Sequence, residues 1–137
     1  MKTKSEILTE IHQAGFPDNE VAITLDDFFD NTNCNDSIGV NIYPNPPSIE
    51  KFHQVFKDLI SQGKADNVYV RISDIEEPEE WFFSDTIYVI GSLSIDELKN
   101  QINVLRPDEI YENWMYGKPI NIGNIANDKK IYSIFWD

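Results

Sequence analysis

Residues 85–91, Asp85-Thr86-Ile87-Tyr88-Val89-Ile90-Gly91, hold four apolar side chains in a row with no alternation. A strand with one face in water alternates apolar and polar residues, whereas a strand covered on both faces reads as a continuous apolar run. The segment therefore predicts a central strand with material packed above and below it. Other stretches read as extended too. Val68 to Ile75 alternates, with Val68, Val70 and Ile72 to one side and Tyr69 and Arg71 to the other. Ile131 to Trp136 is rich in β-formers and predicts a last strand. Ser37 to Tyr43 alternates through Ile38, Val40 and Ile42 until Pro44, Pro46 and Pro47 end it. Val21 to Leu25 reads either as a brief extended segment or as the entry to a short helix capped by Thr24 or Asp26. Asp108 to Trp114 reads as extended.

Helix signals lie between these stretches. Thr3 with Glu6 and Ser94 with Glu97 have capping-box spacing, and each precedes apolar residues at helical intervals. Those residues are Ile7, Leu8 and Ile11 in the first case and Leu98, Ile102 and Leu105 in the second. Ser48 opens the clearest amphipathic stretch, 48–62, with Ile49, Phe52, Phe56, Leu59 and Ile60 on one face and Gly63 closing it. Phe28 and Phe29 read as core anchors. Residues 30–36 and 117–128 are loops on composition. Gly39 sits inside an expected strand and marks a bulge or a close backbone approach, while the other five glycines read as helix stops and turns.

Taken from residue 37, this order is β-α-β-β-α-β, the ferredoxin-like arrangement. It carries an extra N-terminal helix and an extended C-terminal section. The expectation is one α+β domain over residues 1–137, a length typical of a single core.

Charge restricts function more than motif does. The net charge is −13, and 17 of the 24 Asp and Glu residues fall in stretches 5–50 and 72–98, which contain no Lys or Arg. Nucleic-acid binding draws its affinity from cations on phosphate, so it is excluded as an expectation. With 41% apolar and 12% aromatic residues, the charge rides on a folded body rather than a disordered tail. Self-repulsion of such patches is relieved by a basic partner. The strongest candidate surface is Asp74, Glu76, Glu77, Glu79, Glu80 and Trp81, where carboxylates surround an aromatic run. Aromatics supply buried anchors and rim charges steer association. Asp26, Asp27 and Asp30 form a second, separate patch.

Catalytic and metal chemistry find little footing. His12 and His53 lie on different elements, and Cys34 has no neighbouring cation to activate it. A Cys34–His53 pair lacks a third group to orient it. Asp26, Asp27, Asp30 and Asp36 lack the alternation and the terminal Glu of a calcium loop. Glycine-rich phosphate loops are absent. No cofactor is expected. One cysteine and an N-terminus without an apolar leader point to the cytoplasm, and no stretch approaches the roughly 18 apolar residues of a membrane span.

Leu25-Asp26-Asp27-Phe28-Phe29, Asn35-Asp36-Ser37-Ile38-Gly39, Phe83-Ser84-Asp85-Thr86-Ile87-Tyr88-Val89, Leu105-Arg106-Pro107-Asp108-Glu109 and Phe135-Trp136-Asp137 resemble a family of small acidic bacterial immunity proteins of polymorphic-toxin and contact-dependent inhibition systems. The resemblance implies a non-catalytic inhibitor that covers the positive active-site surface of a basic, nuclease-like toxin. It supplies no residue-level site. An interaction or adaptor module, and a small ligand-binding enzyme using His53, Cys34 or clustered carboxylates, are the alternatives. The oligomeric state is open.

Overall fold

The computed structural model describes residues 2–32, 35–76 and 81–137, and for Glu76 and Trp81 the backbone alone. In chain order the elements are α1 (Lys4–Gln13), β1 (Ala22–Thr24), α2 (Leu25–Phe29), α3 (Ile49–Ser61), β2 (Ala65–Arg71), β3 (Asp74–Glu76), β4 (Trp81–Phe83), β5 (Thr86–Gly91), α4 (Ile95–Ile102), β6 (Glu109–Glu112) and β7 (Lys130–Phe135). Single 3₁₀ turns occupy Asn35–Ser37 and Asn103–Leu105. The class is α+β.

Five strands form one sheet in the order β1-β2-β5-β7-β6, with every pairing antiparallel. β5 is its middle strand, and all six of its residues are buried. Its two faces meet different material. Ile87 and Val89 join Val68 and Val70 of β2 and Tyr132 and Ile134 of β7 in the main core. The helices close that side with Ile7, Ile11, Phe52, Phe56, Leu59, Leu98 and Ile102, all fully buried. Tyr88 faces the other way and packs with Ala22, Tyr69, Trp114, Ile122 and Ile125.

The second face is covered by an irregular strap, residues 113–125. Ser133 in β7 pins its start, accepting from Met115 N and donating to Asn113 O. Trp114 meets the Tyr88 ring edge-on at 4.8 Å. Further along, the Asn121 side chain accepts from Ala22 N at 3.2 Å and donates to Ala22 O at 2.6 Å. One amide side chain thus satisfies both outward backbone groups of edge residue Ala22, as a residue of a further strand would. The sequence marks this stretch only as a Gly, Pro and Asn-rich loop.

Local signals explain the helices. Thr3 and Glu6, and Ser94 and Glu97, form complete reciprocal capping boxes, and Ser48 accepts from Lys51 N. The bonded carboxylates of Glu6 and Glu97 are held below the usual glutamate pKa, first by backbone hydrogen bonding. Both possibilities for 21–25 are realised in succession: β1 runs straight into α2, and Thr24 is the cap.

The ferredoxin-like order is not the one found. It requires a strand at 37–43 lying between β5 and β7, but those two strands pair directly from Thr86↔Phe135 to Gly91↔Lys130. Residues 37–43 make one bridge, Ile38↔Ser84, and then turn, with Ile42 N donating to Gly39 O. Gly39 has φ +68°, and a Cβ there would meet Phe52 at 2.9 Å, so it is the close approach and not a strand residue. Val40 is 55% exposed as a result. What remains of the motif is β5-α4-β6, a split β-α-β unit with β7 between its parallel strands.

Two smaller expectations also change. On α3 the apolar face includes Val55, 8% exposed, whereas Ile60 lies 39% exposed at its edge. Gly91 is no turn glycine: it ends β5, and a Cβ there would stand 2.4 Å from the Lys64 carbonyl oxygen and 2.9 Å from Ala65 Cα. Backbone cannot swing aside as a side chain can, so this register of β2 on β5 demands glycine.

Candidate partner-binding face

The segment favoured from sequence is a β-hairpin. β3 and β4 pair as Asp74↔Phe83, Ile75↔Phe82 and Glu76↔Trp81. Ile75 packs partly buried against the main core and Phe82 is fully buried in it, so Phe82 is a structural anchor. Asp74 is exposed. Glu77, Glu79 and Glu80 lie outside the described residues, as do the side chains of Glu76 and Trp81.

Asp26, Asp27 and Asp30 sit on or next to α2, in the arc between the Thr24 cap and its end. α2 is anchored by Phe28, fully buried, whose ring lies 6.3 Å from that of Phe82. The sequence treats 18–36 and 74–85 as separate patches. This contact links the two segments through the core. On the other flank of β4, Ser84 N donates to Ser37 O at 2.8 Å, and the bridge to Ile38 fixes the 35–43 turn there. That turn carries Val40 and Tyr43, the latter 90% exposed. Neither was singled out from sequence, because alternation assigned Val40 to a buried strand face.

The carboxylates here are not equivalent. Asp26 Oδ1 lies 2.7 Å from His53 Nε2, and the His53 ring stacks on Phe29 at 5.2 Å. Asp26 thereby holds a half-buried histidine in place. Among the described residues, Asp27, Asp30 and Asp74 make no salt bridge. His53 is committed to Asp26 and Phe29, and Cys34 lies outside the described residues, so the His53–Cys34 idea gains no geometry. A depression of about 370 Å³ beside α2, lined in part by Asp26, Lys57, Ile60 and Asp66, contains no His or Cys. Among the described residues no group of three or more His, Cys, Asp or Glu is gathered as a metal site.

A denser polar cluster lies on the second sheet face. Arg71 donates to both Glu20 oxygens, at 2.6 and 3.2 Å, and to Asp85 Oδ1 and Ser73 Oγ at 3.0 Å each. Ser73 and Thr86 also donate to that Asp85 oxygen. The guanidinium stacks on the Tyr116 ring at 3.8 Å. Partial burial opposes the charge on Arg71, but the Glu20 bonds and the two carboxylates outweigh it and raise its pKa. Residues 20, 71, 85 and 116 are too far apart in sequence for spacing to link them. The cluster ties β1, β2, β5 and the strap together.

Tyr88 lies beside this cluster with its hydroxyl fully buried and unpaired. Burial pushes its pKa well above the usual tyrosine value. Replacing the hydroxyl removes an unsatisfied buried group, so Tyr88→Phe is expected to stabilise the fold by about 1 kcal/mol in urea denaturation. The pH dependence has a definite sign. The unfolded Tyr88 loses its proton above about pH 10 while the folded one keeps it, so its contribution is complete below that pH and is lost as pH rises further. The alkaline loss of stability should be shallower in Tyr88→Phe.

Residues 2–134 match the family described as the Uncharacterized protein YfbO family. The chain belongs to the YfbO family. The uncharacterized protein YfbO of Escherichia coli (strain K12) is 30% identical over 93 residues, which is 67% of this chain. The aligned stretch is 65% of that relative's length, just under two thirds. No solved structure matches this YfbO-family chain. Among the described residues no helix is long and apolar enough to cross a membrane.

Proposed function

We propose that this YfbO-family chain is a non-catalytic binding protein that captures a basic protein partner on the face formed by α2, β3–β4 and the 35–43 turn. Its action is that of a cytoplasmic immunity protein, covering the positive active-site surface of a nuclease-like toxin. The supporting observation is the Phe28–Phe82 contact, which ties α2 to the β3–β4 hairpin through the core, with Tyr43 exposed on the turn next to β4. Unpaired carboxylates steer a cationic surface inward, and an exposed aromatic on a short turn supplies the contact that slows release. Glu76, Glu77, Glu79, Glu80 and Trp81 extend the same hairpin in sequence and belong to the proposed surface.

The test is stopped-flow binding to basic toxin nuclease domains encoded beside genes of this family, at low and high salt. Asp27→Asn, Asp30→Asn and Asp74→Asn combined should slow association about tenfold and flatten its salt dependence. Tyr43→Ala should leave association alone and speed dissociation about tenfold. Unchanged association in the triple variant would remove this face from the proposal, and failure of every such domain to bind would remove the immunity assignment.

A further inference from the structure

β1 and β6 are the two edges of the sheet, and they are finished differently. Asn121 occupies the outward backbone groups of Ala22 on β1. On β6, Asn113 N donates to Ile131 O, which fixes the phase of the ladder with β7. Pairs in an antiparallel ladder alternate, so the N–H and C=O of Ile110 and Glu112 point away from β7. Among the described residues nothing is bonded to them from that side. Tyr111, between them, is 45% exposed on the strap side of the sheet, opposite Ser133.

We propose that the β6 edge pairs antiparallel with β6 of a second copy of this chain, Ile110 opposite the second copy's Glu112 and Tyr111 opposite its own counterpart. Four outward backbone groups on each strand then form four hydrogen bonds about a two-fold axis. Charge selects this register. Glu112 opposite Glu112 would place like charges in direct contact, and Ile110 opposite Ile110 would strand the outward groups of Glu112. In the chosen register each Glu109 faces an asparagine, Asn113, and the two tyrosines meet at a non-hydrogen-bonded pair, where side chains come closest. The glutamates of β6 therefore choose a register rather than forbid pairing.

Each Glu112 also finds cations. Ile110 shares a surface depression with Lys99, Arg106, Asp108 and Glu109. The second copy's Glu112 comes down opposite Ile110, at the mouth of that depression. A second depression at the far end of β6 brings Lys129 and Lys130 beside Glu112. Lys99, Arg106 and Lys130 border this edge beside Asp108, Glu109 and Glu112, and Lys129 is already ion-paired to Asp66 at 2.8 Å, so both signs of charge meet here in a molecule of net charge −13. The pairing does not use α2, which follows β1 at the opposite edge of the sheet, although the chain just after Tyr43 approaches the β6 edge where Arg106 donates to Asn45 O.

Sedimentation velocity on the full chain from about 1 to 100 µM tests it, with a dimer expected in the micromolar range. Glu112→Pro removes an outward N–H that β7 does not use and should give a monomer with unchanged circular dichroism. Lys99→Glu and Glu112→Lys, both on exposed side chains, should each weaken the dimer about tenfold, and the double variant should restore it. In a Cys34→Ser background, Tyr111→Cys should oxidise to a disulfide-linked dimer, while Glu109→Cys should not. A wild-type monomer throughout the range overturns the proposal. So does a dimer indifferent to both Lys99→Glu and Glu112→Lys, or equal cross-linking at 109 and 111.

Discussion

Phe28→Ala is expected to lower stability by about 4 kcal/mol, because a fully buried ring is lost from a site that cannot collapse around the gap. Phe28 meets Phe29 edge-on at 5.0 Å and reaches Phe82 at 6.3 Å, so the cavity opens between α2 and β4. α2 is only five residues long and has little stability of its own beyond the Thr24 cap. Amide exchange should therefore quicken in β3–β4 and α2 well before β5. Phe52→Ala is the control: it removes an equally buried ring, one that packs on Trp136 and not on Phe82. Its cost in urea denaturation should be similar, but the hairpin should keep its protection. A Phe28→Ala loss below about 1 kcal/mol would contradict the packing described.

Arg71→Ala is expected to cost about 3 kcal/mol. The loss comes less from the ion pairs themselves than from leaving Glu20 and Asp85 facing each other with no cation between them. Both carboxylates keep some contact with solvent, which holds the figure at the lower end for a broken buried pair. Arg71→Lys separates charge from geometry. It retains the cation but loses the fork on Glu20 and the stack on Tyr116, and should cost about half as much. Adding Asp85→Asn to Arg71→Ala should recover part of the loss. Hydrogen exchange at 114–122 reports on the strap directly and should accelerate in Arg71→Ala.

The legible parts of the fold were those coded within a few residues. The reciprocal bonds of Thr3 with Glu6 and of Ser94 with Glu97 need only their spacing, and the apolar run 87–90 signals coverage on both faces wherever its neighbours come from. Residues 37–43 show the limit. Ile38, Val40 and Ile42 fit a strand, yet whether a strand forms depends on a free slot beside β5, and β7 takes it. A bridge at Ile38 and a turn at Gly39 result, with Val40 left in solvent. The acidic segments were visible as composition, but their link through the core rests on one contact between rings 54 positions apart in the chain, Phe28 and Phe82. The Arg71 cluster was invisible for the same reason: its members share a face only after the sheet has formed.

Asn121 has a consequence for how large an assembly can become. A flat sheet with two free edges can add copies at both, and the product is a fibre of indefinite length. Here a loop side chain fills the outward hydrogen-bonding positions of Ala22 on β1, so that edge offers a further strand less than β6 does. Loss of the Asn121 amide would free the Ala22 backbone groups and open that edge as a second point of growth.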